Sequence, residues 1–142
     1  ALFNASIPFK EENIVEISYS SPKDNIDDEL ESKINTLLNK PSAPNALLST
    51  TDTLSLKVLH ILNKLEVKIP DDMNLIGFSN TRFANSLNPS LTTTTQPTHL
   101  MAEKSVELLL QMLKKRNKKN YFEFEPYFLD CSIEHRKSTL SL

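Results

Sequence analysis

Ile69-Pro70-Asp71-Asp72-Met73-Asn74-Leu75-Ile76-Gly77-Phe78 is the stretch on which the reading of the fold turns. Its first half has turn composition, a proline followed by paired aspartates. Its second half is an apolar run suited to a strand buried on both faces, and Gly77, the sole glycine among 142 residues, stands near its end. Upstream, residues 53–65 carry Leu54, Val58, Ile61, Leu62 and Leu65 in one helical stripe, while Leu56 and Leu59 point to the other side. Before that helix, Ala46-Leu47-Leu48-Ser49 is a short apolar run that opens into Thr50-Thr51-Asp52, where a Thr or Asp side chain can cap the helix N-terminus.

The same unit recurs one step further upstream. Ile14-Val15-Glu16-Ile17-Ser18 predicts a first strand, and Leu30, Ile34, Leu37 and Leu38 predict a crossover helix over residues 27–38 that ends at Lys40-Pro41-Ser42-Ala43-Pro44. Strands alternating with helices predict an α/β fold of right-handed βαβ units, a three-layer parallel sheet with helices on both faces. In such sheets ligands bind beyond the carboxyl ends of the strands. The three exits are Ser18-Tyr19-Ser20, Thr50-Thr51-Asp52 and Ser79-Asn80-Thr81, polar and mostly small. Helix capping alone is enough to explain Asp52, whereas Thr51 and Ser79 are expected to line the crevice, with Tyr19 and Ser20 as a further wall.

Downstream, residues 82–89 are irregular, Leu91-Thr92-Thr93-Thr94-Thr95-Gln96 predicts a strand, and Pro97 suits a helix start. Between Leu100 and Leu113 only Glu103, Lys104, Glu107 and Gln111 share a polar face, so this helix is expected to pack its apolar remainder against the sheet. Residues 121–125 and 128–134 alternate as strands on either side of Pro126, and Cys131 is expected to be a buried structural thiol.

Composition narrows the function classes. With 39% hydrophobic and 24% charged residues, one domain over residues 1–142 is expected. No apolar run approaches the roughly 18 residues needed to span a bilayer, so no membrane role is expected. The formal net charge of -2 gives no general attraction for a phosphate backbone, and the basic run at residues 114–119 falls where a helix ends, where cations suit the dipole. No catalytic residues, cofactor or metal site is expected: there is no nucleophile elbow, no glycine-rich phosphate loop, and His60, His99 and His135 lie far apart. Asp27-Asp28 and Asp71-Asp72 have capping and turn roles. The opening Ala1-Leu2-Phe3-Asn4 lacks a basic n-region and an initiator Met, which is expected of a piece of a longer chain.

Several blocks carry a resemblance. Pro44-Asn45-Ala46-Leu47-Leu48 with Thr51-Asp52, then residues 69–78, then Pro89-Ser90-Leu91-Thr92-Thr93 with Gln96-Pro97, and the terminal Arg136-Lys137-Ser138-Thr139, together resemble the lactose and galactose repressor (LacI/GalR) family in order and spacing. The resemblance implies a bacterial, cytoplasmic transcription factor with an N-terminal helix-turn-helix and a two-lobed sensor like a type I periplasmic binding protein. This chain would be most of the C-terminal lobe, with the DNA-binding headpiece and most of the N-terminal lobe absent from it. A small-molecule effector, a sugar or sugar derivative, would sit between the lobes and alter operator binding through the headpiece.

The resemblance implies effector contacts at Thr51, Asp52, Ser79 and Asn80. Family members often carry Asn-Asp where this chain has Thr51-Asp52, and an acidic residue where it has Ser79, so a charged acceptor is replaced here by a hydroxyl. It implies a homodimer as well, and Leu56, Leu59, Phe83 and Leu87 are the expected interface residues, an isologous patch repeated on both subunits. The alternative left open is a lobe of a periplasmic sugar-binding protein linked to transport. An enzyme on the same scaffold lacks a visible reactive constellation.

Overall fold

The computed structural model describes residues 6, 10–17, 26–115 and 126–140. Helix α1 (Ile26–Leu38) leads to strand β1 (Ala46–Leu48), helix α2 (Asp52–Lys64), strand β2 (Asn74–Phe78), strand β3 (Thr92–Thr95), helix α3 (Thr98–Lys115) and strand β4 (Ser132–Glu134), with short 3-10 turns at Glu11–Asn13 and Ala84–Ser86. The sheet order is β1-β2-β3-β4. Strands β1, β2 and β3 run parallel, with Leu47 opposite Leu75 and Gly77 opposite Thr93, whereas β4 runs antiparallel to β3. The α/β class and the parallel βαβ core hold, and the final strand makes the sheet mixed.

Helix α2 packs on β2, and α1 packs on α2. The core comprises Leu30 and Ile34 from α1, Val58, Leu59, Ile61 and Leu62 from α2, and Met73, Leu75, Ala84 and Leu91 around the sheet. Lys64 reaches Glu31 at 2.6 Å, and Lys57 pairs with Asp27, so charged side chains also bridge the two helices at their rim.

Four expectations are corrected. Residues 14–17 are not paired as a strand: β1 bonds to β2 alone among the described residues, and the run is tied down by lysines instead. Lys33 Nζ donates to the Glu16 carbonyl at 2.5 Å and Lys40 Nζ to that of Glu12 at 2.8 Å. Helix α3 does not bury its apolar surface: Leu100, Met101, Val106, Leu109, Leu110 and Leu113 are all more than 40% exposed. Its apolar residues spread around most of its circumference, and none of them is buried. Cys131 is exposed because β4 begins only after it and has no buried residue. Leu59, expected on an outer face, is buried in the core. The strand expected over residues 121–125 lies outside the described residues.

Leu59 was misassigned because its stripe is polar at one end. On α2 the buried positions Asp52, Ser55, Leu59 and Leu62 follow each other at spacings of three and four residues, so two leucines share one inward face with an aspartate and a serine.

The end of α2 is a Schellman turn. Glu66 N–H donates to the Asn63 carbonyl at 3.1 Å and Val67 N–H to that of Leu62 at 3.0 Å, with Glu66 at φ 58°. Glycine usually holds this position because a Cβ disfavours left-handed backbone. Glu66 is exposed and has no ion pair among the described residues. Replacing it by glycine is expected to raise the unfolding free energy by about 0.5–1 kcal/mol, read as a higher urea midpoint at unchanged m-value.

Candidate functional site

The exits of β1 and β2 and the neighbouring β3 meet at one fully buried carboxylate. Asp52 is the first residue of α2 and has 0% relative exposure. Its Oδ2 accepts from the Thr81 N–H at 2.6 Å and from the Thr81 hydroxyl at 2.9 Å, while Oδ1 accepts from the Thr93 hydroxyl at 2.6 Å. Three donors on two segments thus converge on one side chain at the start of α2. No buried side-chain polar atom lacks a partner among the described residues.

Gly77 makes this arrangement possible through space rather than through backbone freedom, since its φ is not positive. A Cβ there would overlap Asp52 Oδ1 and stand 2.8 Å from Leu91 Cδ2 and 3.0 Å from Ser55 Oγ. Three elements come together where any side chain on residue 77 would drive them apart.

The residues singled out in the sequence are placed as follows. Thr51 is the N-cap of α2: its backbone is extended and its hydroxyl oxygen accepts from Leu54 N–H at 3.1 Å. It is exposed, and so is Ser79, whose hydroxyl makes no hydrogen bond among the described residues. Asp52 is spent on Thr81 and Thr93, and Asn80 is engaged at both ends of its carboxamide, by Thr95 at 2.8 Å and by Arg136 at 2.8 Å. Thr51 and Ser79 therefore keep a polar group turned to solvent, while Asp52 and Asn80 hold the frame. Tyr19 and Ser20 lie outside the described residues. Cavities of about 620 Å³ and 640 Å³ lie along residues 11–17 and α1, and the second reaches Thr50 and Leu54. Neither is lined by Thr51, Ser79 or Asn80.

Of the expected interface residues, Leu56 is 43% exposed on α2, Phe83 and Leu87 are half-buried, and Leu59 is interior. Leu56 borders a shallow groove with Lys57, His60 and Lys64.

Sequence reasoning missed Thr81, Thr93, Ser138 and Arg136. Ser138 is buried between the starts of β2 and β3: its hydroxyl donates to the Leu75 carbonyl at 2.5 Å and accepts from Thr92 N–H at 2.8 Å, and its carbonyl accepts from Leu75 N–H at 2.8 Å. The threonine run at 92–95 has strand propensity, yet three of its hydroxyls are internal partners: Thr93 serves Asp52, Thr92 accepts from Arg136 N–H at 2.8 Å, and Thr95 accepts from Asn80 Nδ2 at 2.8 Å. The available signal was the pairing of a buried strand with unusually polar side chains, which requires partners.

Among the described residues, no group of three or more His, Cys, Asp or Glu side chains is arranged to hold a metal, and no helix is long and apolar enough to cross a membrane.

Comparison with known proteins places this geometry. Residues 6–139 match the family described as periplasmic binding protein-like domain. A probable HTH-type transcriptional regulator, EndR, of Paenibacillus polymyxa is 31% identical over 115 residues, which cover 81% of this chain and 34% of that protein. Catabolite control protein A of Priestia megaterium is 29% identical over 139 residues, 98% of this chain and 39% of its own length. Among solved structures, a LacI family transcriptional regulator from Enterococcus faecium with bound ribose superposes with a TM-score of 0.69 at 25% identity, over 97% of this chain and 47% of that one. The chain thus spans 34% and 39% of the two curated relatives, which are regulators.

The Asp52 hub yields a paired prediction. Gly77→Ala is expected to cost about 1–3 kcal/mol through overpacking. Asp52→Ala, which strands the Thr81 amide and the Thr93 hydroxyl, should cost about 3 kcal/mol or more. Because both act on one contact, the double variant should lose clearly less than the sum of the two in denaturant unfolding.

Proposed function

The chain belongs to the periplasmic binding protein-like domain family, and on that premise we propose that it is the C-terminal lobe of the effector-sensing module of a LacI-type transcriptional regulator. The observation that carries the reading is the parallel order β1-β2-β3 with its exits held together by Asp52. That order brings Thr51 and Ser79 to one edge of the sheet, where open α/β sheets take their ligands. Both offer hydroxyls, and the nearby carboxylate is already satisfied, so the site suits a neutral hydroxylated ligand such as a sugar. Ribose in the Enterococcus faecium regulator is in keeping with this choice.

The exposed apolar surface of α3 supports a second lobe in the longer protein. Six large apolar side chains in water are unfavourable, at about 25 cal/mol per Å² of apolar surface, and a partner lobe would remove that cost. A ligand held between the lobes changes operator affinity only if it favours one lobe arrangement over the other. On this reading a DNA-binding headpiece precedes the lobe in the longer protein, and a protein that works on operator DNA works in the cytoplasm. Leu56, Phe83 and Leu87 form the surface through which two copies pair.

A thermal-shift screen of the full-length protein tests this reading. D-ribose and other sugars are expected to include one that raises Tm by about 5–10 °C at a hundredfold excess over Kd. That shift should shrink in Ser79→Ala, and the same sugar should alter operator affinity. Stabilisation by a sugar without any operator binding would overturn the regulator reading in favour of a transport-linked binding protein. In parallel, Leu56→Glu should convert the dimer to a monomer by light scattering, and an unchanged mass would remove Leu56 from the interface.

A further inference from the structure

Ser79 and Asn80 follow one another at the exit of β2 with φ of 124° and 50°. Both values lie in backbone territory that favours glycine, and neither residue is glycine. Such conformations persist only where the surroundings over-determine them, and they gather at ligand sites.

The surroundings here can be named atom by atom. Ser79 N–H donates to the Thr94 carbonyl at 2.9 Å, and Asn80 N–H donates to Thr93 Oγ1 at 3.3 Å. The Asn80 side chain is gripped from two directions: its Nδ2 donates to Thr95 Oγ1 at 2.8 Å, and its Oδ1 accepts from Arg136 Nη2 at 2.8 Å. The other terminal nitrogen of Arg136, Nη1, donates to the Leu91 carbonyl at 2.7 Å. Arg136 is itself anchored, because its backbone N–H donates to Thr92 Oγ1 and its carbonyl accepts from the same hydroxyl at 3.1 Å. One guanidinium therefore ties the turn after β2 to the start of β3, using the planar fork that lysine lacks.

We propose that Arg136 is a positioning residue for the strand-exit site: acting through Asn80, it holds the left-handed turn that leaves the Ser79 hydroxyl facing solvent, without touching the ligand itself. The inference rests on the reading of Ser79 as ligand-facing. It assigns a role to a C-terminal residue 56 positions away from the turn it sets.

Hydrogen exchange followed by mass spectrometry on the full-length protein, with no ligand present, tests the brace separately from the sugar reading, which the Ser79→Ala thermal shift decides. Arg136→Lys keeps the charge but cannot bridge both acceptors, and should speed exchange of the amides at 79–81 by about fivefold to tenfold. The amides of α2 should be unaffected. Asn80→Gly tolerates the backbone but lacks the carboxamide, and should give the same acceleration. The double variant should exchange no faster than either single one. Unchanged exchange at 79–81 in Arg136→Lys, additive acceleration in the double variant, or a uniform rise through α2 and the sheet would each overturn the proposal. If Arg136→Lys does not accumulate as folded protein, Asn80→Gly carries the test alone, and unchanged exchange at 79–81 in that variant overturns it.

Discussion

A buried carboxylate needs its hydrogen bonds supplied by the protein, and Asp52 obtains three of them from two separate segments. That requirement organises much of the fold. The Thr81 amide and hydroxyl must approach from the turn after β2, the Thr93 hydroxyl must point inward from β3, and residue 77 must carry no side chain. The start of α2, the turn after β2 and strand β3 are thereby fixed with respect to one another. Apolar packing among Val58, Leu62, Leu75 and Leu91 supplies the bulk of the driving force, but it is non-directional. The carboxylate supplies direction.

This division of labour bears on the proposed site. A ligand pocket needs groups that face solvent in fixed positions, and fixing them takes further groups that do not face solvent. Asp52 and Asn80 belong to the second kind, Thr51 and Ser79 to the first. The strand exits thus hold two tiers of polar residues, an inner one consumed by the fold and an outer one in which the Ser79 hydroxyl is unbonded among the described residues and the Thr51 hydroxyl, an acceptor in the helix cap, still has its proton to donate.

The sequence made the βαβ core legible because its evidence is periodic: the stripes of α1 and α2, the apolar run of β2 and the Pro and Asp punctuation between them fall within a residue or two of the observed elements. It was less informative wherever a polar residue stands in an apolar place. Asp52 and Ser55 disguised the inward face that Leu59 shares, so Leu59 was read as outward. Gly77 was noticed, but its cause is a carboxylate 25 positions earlier, which no local pattern records. Residues 14–17 have strand composition and no strand partner among the described residues, and α3 has core composition with an uncovered surface. In both cases the local pattern was clear, and what it lacked was a neighbour. Of the candidate site, the strand exits were found from the order of elements alone, whereas the brace through Arg136 depends on a contact spanning more than fifty residues.

The contacts of residues 136–139 bear on how this fold comes into being. Ser138 completes the backbone hydrogen bonding of Leu75 and Thr92 where β2 and β3 begin, so the centre of the sheet is closed by a residue far downstream of both strands. A ribosome makes β1, β2 and β3 long before it makes Ser138, and at roughly 5–20 residues per second the forty or so residues between β3 and Ser138 take seconds to emerge. A sheet formed during that interval would have open amide and carbonyl groups at its centre and a turn after β2 without its guanidinium. A translation product stopped short of Arg136 would contain the core side chains from Leu30 to Leu91 while lacking the stitch that finishes the sheet.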